Sequence, residues 1–271
     1  MRLAILSDIH GNLPAFEAAL EHLARQQVDQ LVIAGDIVNG APDSRRCYEL
    51  ARSLHCPILR GNHERYVAHF GGPHASPHWG TEQFAPLRWT VAQLSAEQRE
   101  QLGALPLSYR PPDSPGLLIV HASARSDYDQ VLAYTPDEQL EEMFCGVEEQ
   151  LIVRAHAHLP QVRLWGRRRI LTTGSVGLSL DGNPQAQYLI LEQRRDGWHA
   201  THHAVPYDLD AVARRFYDTG YLEATGPIGR LFLREVMTAT FQIVPFLRAY
   251  ERWSAHEPIS LSEALERFLR M

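Results

Sequence analysis

The stretch RLAILSDIHGN, from Arg2 to Asn12, is the part of the sequence from which the fold class is most directly predicted. It begins with a short apolar run that ends in the carboxylate of Asp8, a composition typical of a buried strand. His10 follows two residues later, and Pro14 stands where a helix is expected to begin. The stretch therefore predicts a buried strand that ends in polar side chains and leads directly into a helix.

The pattern of this first stretch, an apolar run that ends in a polar side chain, occurs twice more nearby. A second apolar run, QLVIAGD, ends in Asp36, and a third, PILRGN, ends in Asn62. A helix is predicted between them, from Ser44 to Leu54. Strands and helices that alternate in this way indicate two βαβ units and a parallel sheet.

Two regions lie outside this alternation. Residues 71–110 form an insert, with a helical stretch from Trp79 to Leu102, and the end of the chain is helical. We expect one domain over residues 1–207, which includes the insert, and a helical extension over residues 208–271 that packs on the core.

The segments after the insert return to strands. LLIVHAS ends in His121, and LIVRAHAH ends in the pair His156 and His158. Between them, Thr135 and Glu138 form a capping box that predicts a short helix. The later strands have no helices between them, which indicates antiparallel hairpins.

The helical extension carries an apolar stripe from Leu233 to Val244, which we expect to be broken at Pro245. Ser260 and Glu263 are predicted to cap a last helix. The stripe either packs on the core, which we favour, or forms a dimer interface, so homo-oligomerisation stays open.

Polar side chains stand at the ends of five apolar strands. They are Asp8, His10, Asp36, Asn62, His63, His121, His156 and His158. A single Asp or His at such a place is most often a cap or a turn residue. Together they indicate a metal centre, because buried carboxylates are costly unless a cation meets them, and because open α/β sheets bind ligands at the carboxyl ends of their strands.

The donor types restrict the metal. Two Asp, one Asn and four His without Cys suit manganese, iron, zinc, cobalt or nickel better than calcium or a structural cysteine-bound zinc. Seven ligands are too many for one ion with an open position. They suit two ions that share one carboxylate, an arrangement that serves in-line attack on phosphorus.

In order and spacing these residues resemble the calcineurin-like metallophosphoesterases. The resemblance covers about residues 1–205 and is carried by DxH at residues 8–10, GD at 35–36, GNHE at 61–64, the strand-end His121 and the HxH pair at 156–158. SDIHGN and TTGSVG are similar to signatures of the small prokaryotic phosphodiesterase branch. The resemblance implies an α/β (α+β) fold, a four-layer αββα sandwich of two mixed β-sheets flanked by helices.

The resemblance also implies residue roles. One metal would be held by Asp8, His10 and His158, the other by Asn62, His121 and His156, and Asp36 would bridge them. His63 would act on the substrate phosphate, by stabilising charge or by protonating the leaving oxygen, and a hydroxide between the metals would attack in line. We expect two divalent ions, with manganese favoured and iron, zinc, cobalt, nickel or magnesium open.

Two other positions bear on the substrate. Arg125 lies just beyond His121 and is a candidate phosphate ligand, since guanidinium suits that geometry. Asn39 stands where protein-phosphatase relatives often carry an acid paired with the GNHE histidine. That difference argues against a close protein serine/threonine phosphatase and favours a small phosphoester or nucleotide substrate.

Composition limits the remaining functions. The formal net charge of −6 argues against a nucleic-acid-coating or membrane-surface protein. Three cysteines without a CxxC spacing, together with no recognisable signal peptide, favour a cytoplasmic protein. The alternative to an enzyme is a catalytically silent scaffold of the same fold, which some relatives are. We disfavour it because all eight site positions are present.

Overall fold

Two β-sheets packed face to face form the centre of the molecule in the computed structural model, which describes residues 1–271. Their strands are β1 (Arg2–Leu6), β2 (Gln30–Ile33), β3 (Ser108–Tyr109), β4 (Leu117–Val120), β5 (Leu151–Arg154), β6 (Gln161–Trp165), β7 (Arg168–Thr172), β8 (Ala186–Arg194) and β9 (Gly197–Val205). One sheet has the order β2-β1-β8-β9 and the other β3-β4-β5-β7-β6. Both are mixed, because β1–β2, β4–β5 and β5–β7 are parallel and the other pairs antiparallel.

The alternation of side chains along the strands builds the core on both sides of each sheet. In β1, Leu3 and Ile5 face the second sheet and contact a cluster that includes Ile119 and Val153. Ala4 and Leu6 face the opposite side and join the cluster under the first helices. Each fully buried Leu or Ile stabilises the fold by roughly 1.5–3 kcal/mol relative to exposure. The expected four-layer αββα sandwich is confirmed.

Ten α-helices surround the sheets. They are α1 (Leu13–Ala24), α2 (Ser44–Ser53), α3 (Asn62–His69), α4 (Ala85–Gln93), α5 (Ala96–Gly103), α6 (Asp137–Met143), α7 (Leu209–Asp218), α8 (Tyr221–Thr238), α9 (Ile243–Ser254) and α10 (Leu261–Phe268). Short 3₁₀ turns at Pro77–Gly80 and Glu82–Phe84 precede α4, so the helical stretch expected from Trp79 is divided. None of these helices has both the length and the apolar composition that crossing a membrane requires.

The prediction of a third strand at PILRGN is wrong. Only one residue of PILRGN, Ile58, forms a bridge, to Ile33. Pro57 has no backbone N–H to donate, and Arg60 donates its N–H to the carbonyl of Pro106 instead of to a strand. The segment nevertheless delivers Asn62 to the end of the sheet, because Leu59 N–H still donates to Ile33 O.

The predicted capping box at Thr135 and Glu138 is also wrong. The N-cap of α6 is Pro136, and the Thr135 hydroxyl accepts from the backbone N–H of Leu132 instead. The second capping box is confirmed, since Ser260 accepts from Glu263 N–H at the start of α10.

The C-terminal helices break at a different place from the one predicted. α8 ends at Thr238, Ala239 turns in the left-handed conformation with φ 51°, and Pro245 lies in the first turn of α9. A proline is tolerated there because the first helical N–H groups have no acceptor within the helix. Of the stripe, Val236 is buried, whereas Phe241 and Val244 are both 47% exposed.

Contacts between α7, α8 and the loop after β2 join the C-terminal helices to the rest of the molecule. Phe216 and Tyr221 are buried beside Ala41, and the Tyr221 hydroxyl donates to Gly40 O. The Arg215 guanidinium pairs with the buried carboxylate of Asp43, with Nε 2.8 Å from Oδ2. The division of the chain after residue 207 stays a prediction.

Candidate metal centre

The loops that follow β1 and β2 run side by side and form the base of the site. Asp8 N–H donates to Gly35 O at 3.0 Å, and His10 N–H donates to Asp36 O at 2.9 Å. These bonds continue the parallel pairing of the strands beyond their ends. They bring Asp8, His10 and Asp36 together, although the chain separates the first two from the third by more than twenty residues.

The backbone of these loops is strained. The left-handed conformation is unfavourable for residues other than glycine, by about 1–2 kcal/mol each. Nine such residues have a positive φ, and six of them lie at the site: Asp8, His10, Asp36, Asn39, His156 and His158. Strain of this kind persists only where the surroundings determine the conformation, and it concentrates at functional sites.

Two glycines allow the loops to approach each other closely. A Cβ on Gly61 would lie 2.1 Å from Asp36 Oδ1, and a Cβ on Gly177 would lie 1.8 Å from Ile9 O. Any side chain at either position would push a ligand loop away. The glycines of GNHE and TTGSVG are therefore required by contact between segments that are distant in the sequence.

One group of ligand atoms is formed by Asp8, His10, Asp36 and His158. Its donor atoms all lie within 4.8 Å of one another, and all four residues are buried. His158 Nε2 lies 3.4 Å from Asp8 Oδ1, and His10 Nε2 lies 3.8 Å from Asp36 Oδ2. This is the set that the sequence resemblance assigns to one metal, together with the proposed bridge.

A second group is formed by Asp36, His121 and His156, again with donor atoms within 4.8 Å. His121 Nε2 lies 3.3 Å from Asp36 Oδ2 and 3.2 Å from the side-chain oxygen of Asn62. The four residues predicted around the second metal thus lie together. Asp36 belongs to both groups, so the two sets meet at one carboxylate.

Hydrogen bonds to backbone carbonyls orient three of the imidazoles. His10 Nδ1 donates to Asn39 O at 2.7 Å, His121 Nδ1 to Ala34 O at 2.7 Å, and His158 Nδ1 to Leu178 O at 2.6 Å. A carbonyl only accepts, so Nδ1 of each ring carries a proton and Nε2 points inward. Imidazoles that bind metals are held in this way.

The atoms at the centre lack partners other than one another. The nitrogens His10 Nε2 and His158 Nε2 lie 3.1 Å apart, and Asp36 Oδ2 is buried without a hydrogen-bond partner. The nitrogen separation is less than twice a metal–nitrogen bond of about 2.1 Å, so one ion reaches both. A divalent cation fits these residues, because it satisfies both the unpartnered oxygen and the facing lone pairs.

The pKa values are consistent with a site built for cations. Burial lowers the pKa of His10 and of His156, which keeps both imidazoles neutral, the form that binds metals. Burial opposes ionisation of Asp36, but the surrounding imidazoles, His121 first among them, together outweigh it and hold the pKa of this carboxyl well below its usual value. Burial likewise lowers the pKa of His121, and the Asp36 carboxylate overrides it and raises this pKa to about 9.

His63 lies beside the two groups but outside both. Its backbone N–H donates to Asp36 Oδ1 at 2.9 Å, and its ring meets that of His10 edge to face at 4.7 Å. Asn39 takes the place of an acidic partner, with its side-chain nitrogen 2.7 Å from His63 Nδ1. The position agrees with the predicted role beside the substrate, and that role stays a prediction.

Glu64 is a residue whose importance the sequence reasoning missed. Its buried carboxylate accepts from the N–H groups of Asp36, Ile37 and Gly61, at 2.7–2.8 Å. It therefore ties the loop after β2 to the start of α3. Burial, together with the charge on Asp36, raises its pKa to about 7. The GNHE motif contained the signal, but the motif alone does not show that its last residue binds backbone.

The loop after β4 supplies further contacts. Gln130 places its side-chain amide nitrogen 2.9 Å from His156 Nε2, and the Tyr128 ring lies 5.6 Å from the His156 ring. No local pattern indicates either residue. The structure does not bring Arg125 into the site, because its guanidinium is half exposed and pairs with Asp129 at 2.9 Å. A substrate contact for Arg125 stays a prediction.

Comparisons with known proteins identify relatives of the chain. An uncharacterized protein of Methanocaldococcus jannaschii is 25% identical over 207 residues, which cover 71% of this chain and 83% of that one. The symmetrical bis(5'-nucleosyl)-tetraphosphatase of Nitrosococcus oceani is 28% identical over 153 residues, 54% of this chain and 52% of that enzyme.

Solved structures lead to the same group of proteins. The crystal structure of a metallophosphoesterase from Sphaerobacter thermophilus superposes with a TM-score of 0.69 at 26% identity, and the match covers 89% of this chain and 100% of the other. The family model described as calcineurin-like phosphoesterase matches residues 1–160, which is more than half of the chain. The resemblance read from the motifs is thus confirmed, and the chain belongs to the calcineurin-like phosphoesterase family.

Proposed function

We propose that the chain is a dinuclear metal-dependent phosphoesterase that hydrolyses small phosphodiesters or nucleotide-type phosphoesters. The observation that carries the proposal is the buried carboxylate of Asp36, which belongs to both groups of ligand atoms and has one oxygen without a partner. A catalytically silent scaffold has no use for a buried carboxylate shared by two sets of ligand atoms, since taking a charge out of water is costly.

The proposed ligands are the residues that the structure brings together. Asp8, His10 and His158 would hold one divalent ion, and Asn62, His121 and His156 would hold the other, with Asp36 shared. When bound, two such ions supply Lewis acidity to the phosphoryl group and lower the pKa of a water molecule. Manganese is favoured by the mixed oxygen and nitrogen donors.

Two side chains beside the ligands, His63 and Asn39, are placed to orient the substrate. Burial lowers the pKa of His63, so its ring is neutral at neutral pH. The Asn39 amide, at 2.7 Å, donates to Nδ1, so the ring proton lies on Nε2. From there the neutral His63 ring donates a hydrogen bond to the phosphoryl group or to the leaving oxygen, and it keeps its proton.

Two facts bear on the substrate class. The Nitrosococcus oceani relative is named a symmetrical bis(5'-nucleosyl)-tetraphosphatase, and the formal net charge of −6 disfavours long polyanionic substrates. Both facts favour small phosphoesters.

The test is hydrolysis of bis(p-nitrophenyl) phosphate by the purified protein with and without manganese. We expect turnover that requires the metal, is abolished by EDTA and returns when manganese is added. Asn62→Ala removes a proposed ligand and is expected to lower kcat by about 10²–10³-fold. Asn183→Ala, in a turn outside the site, is the matched control and should leave kcat unchanged. Folded protein without turnover in any divalent metal would contradict the proposal.

A further inference from the structure

A small apolar pocket opens beside His63. Its volume is about 140 Å³, and its wall toward the centre is formed by His63 and Asn39, the pair joined at 2.7 Å. His63 also donates its backbone N–H to Asp36. A group bonded to a phosphorus at the centre therefore reaches this pocket by passing His63.

The remaining walls come from Tyr66 of α3, from the insert and from the C-terminal helices. Phe84 and Leu87 contribute from the start of α4, Phe232 from α8, and Leu247 from α9. No charged side chain lines the pocket. A phosphate or carboxylate placed here would lose its hydration without gaining a counter-charge, whereas an apolar group would gain by leaving water.

The size of the pocket restricts the group further. A dry cavity of about 150 Å³ lined by aliphatic and aromatic side chains takes one benzene molecule. The pocket here, at about 140 Å³, is half open and encloses about one ring, so a larger group would extend beyond its apolar walls.

We propose that this pocket is the subsite for the organic ester group of the substrate, and that it takes one compact apolar ring, such as an aryl group joined directly to the ester oxygen. The inference rests on the proposed phosphoesterase function and narrows it, because it names the kind of ester group that the site prefers. Leu87 forms the buried base at 1% exposure, and the partly exposed Phe84, Phe232 and Leu247 form the walls.

The test compares phenylphosphonate with methylphosphonate, two non-hydrolysable probes with the same head group. Their binding to the manganese-loaded full-length protein is measured by isothermal titration calorimetry. We expect phenylphosphonate to bind at least about tenfold more tightly, from burial of the ring. 1-Naphthylphosphonate, with two fused rings, should bind more weakly than phenylphosphonate.

Two variants of one residue change the pocket in opposite directions. Leu247→Trp fills it and should bring the ratio of phenyl to methyl affinity close to one, with methylphosphonate binding unchanged. Leu247→Ala enlarges it and should shift the preference toward 1-naphthylphosphonate. Val244→Trp, on the exposed side of the same helix, is the matched control and should keep the wild-type ratio.

The outcomes separate this inference from the proposed function. Metal-dependent turnover of bis(p-nitrophenyl) phosphate combined with equal affinity for the two small phosphonates would overturn the inference alone. Absence of both turnover and phosphonate binding would overturn the inference and the proposed function together.

Discussion

The loops that carry the ligand atoms and the C-terminal helices are held in place by different forces. In the loops, six residues with positive φ are fixed by hydrogen bonds between backbones and by the carboxylate of Glu64. The helices α8, α9 and α10 are held mainly by an apolar cluster around Phe246 and Leu265. Directional bonds specify one geometry, whereas apolar packing tolerates repacking.

This difference predicts which property a substitution in each region should affect. A change in the ligand loops should remove metal or turnover while the fold survives, because the loops stand at the ends of strands that are buried independently of them. A change among the C-terminal helices should lower stability and leave the metal centre intact.

The largest effect is expected at Asp36. Asp36→Asn keeps the oxygen that accepts from His63 N–H but removes the charge shared by the two groups of ligands. We expect loss of bound manganese and a fall in kcat of at least about 10³-fold. Metal content by mass spectrometry and turnover of bis(p-nitrophenyl) phosphate measure the two effects.

Asp43→Asn is the matched control, since Asp43 is also buried in the loop after β2 but pairs with Arg215 of α7. It should lower stability by about 1 kcal/mol, because the Arg215 guanidinium that loses its partner is partly exposed, with metal content unchanged. Manganese lost from Asp43→Asn and retained in Asp36→Asn would reverse the comparison.

The next effect concerns His63. His63→Ala should lower kcat by about 10²-fold while bound manganese stays near the wild-type level, because the ring lies outside both groups of ligand atoms. His69→Ala, at the end of the same helix, should change neither quantity. If His63→Ala also removes the metal, His63 holds the centre together and does not act on the substrate.

Much of the centre could be anticipated from local pattern. Asp8, Asp36 and His121 each end an apolar run, and the ends of neighbouring parallel strands meet at one edge of a sheet. The pattern misjudged PILRGN as a strand, because whether Ile58 and its neighbours pair depends on where Arg60 finds its acceptor.

The remaining features depend on contacts that no local pattern encodes. The backbone bonds of Glu64 join two segments, and Gln130 reaches His156 from a loop without a motif. The break at Ala239 replaced the expected one at Pro245, because a proline is harmless in a first helical turn. The apolar pocket is likewise assembled from segments far apart in the chain.

A smaller effect, on stability alone, is expected in α10. Leu265 is 1% exposed and packs in the cluster with Phe246, so Leu265→Ala should destabilise the fold by about 3 kcal/mol. Chemical denaturation of the metal-free protein measures this change. Metal content and kcat should be unchanged, and a loss of either would show that the C-terminal helices support the centre.

The smallest effect is expected at the start of the same helix. Ser260 caps α10 by accepting from Glu263 N–H at 3.2 Å, so Ser260→Ala should cost about 1 kcal/mol of unfolding free energy. Ser262→Ala, at an exposed position two residues after the cap, should cost less than about 0.5 kcal/mol. Equal costs for the two variants would show that the cap contributes nothing to stability.

The apolar walls of the pocket beside His63 come mainly from the start of α4 and from α8 and α9, and none of these helices carries a ligand atom. Selectivity and chemistry thus depend on different residues. During evolution a wall residue such as Leu247 can therefore be replaced, and the preferred ester group can change, while the metal ligands are kept.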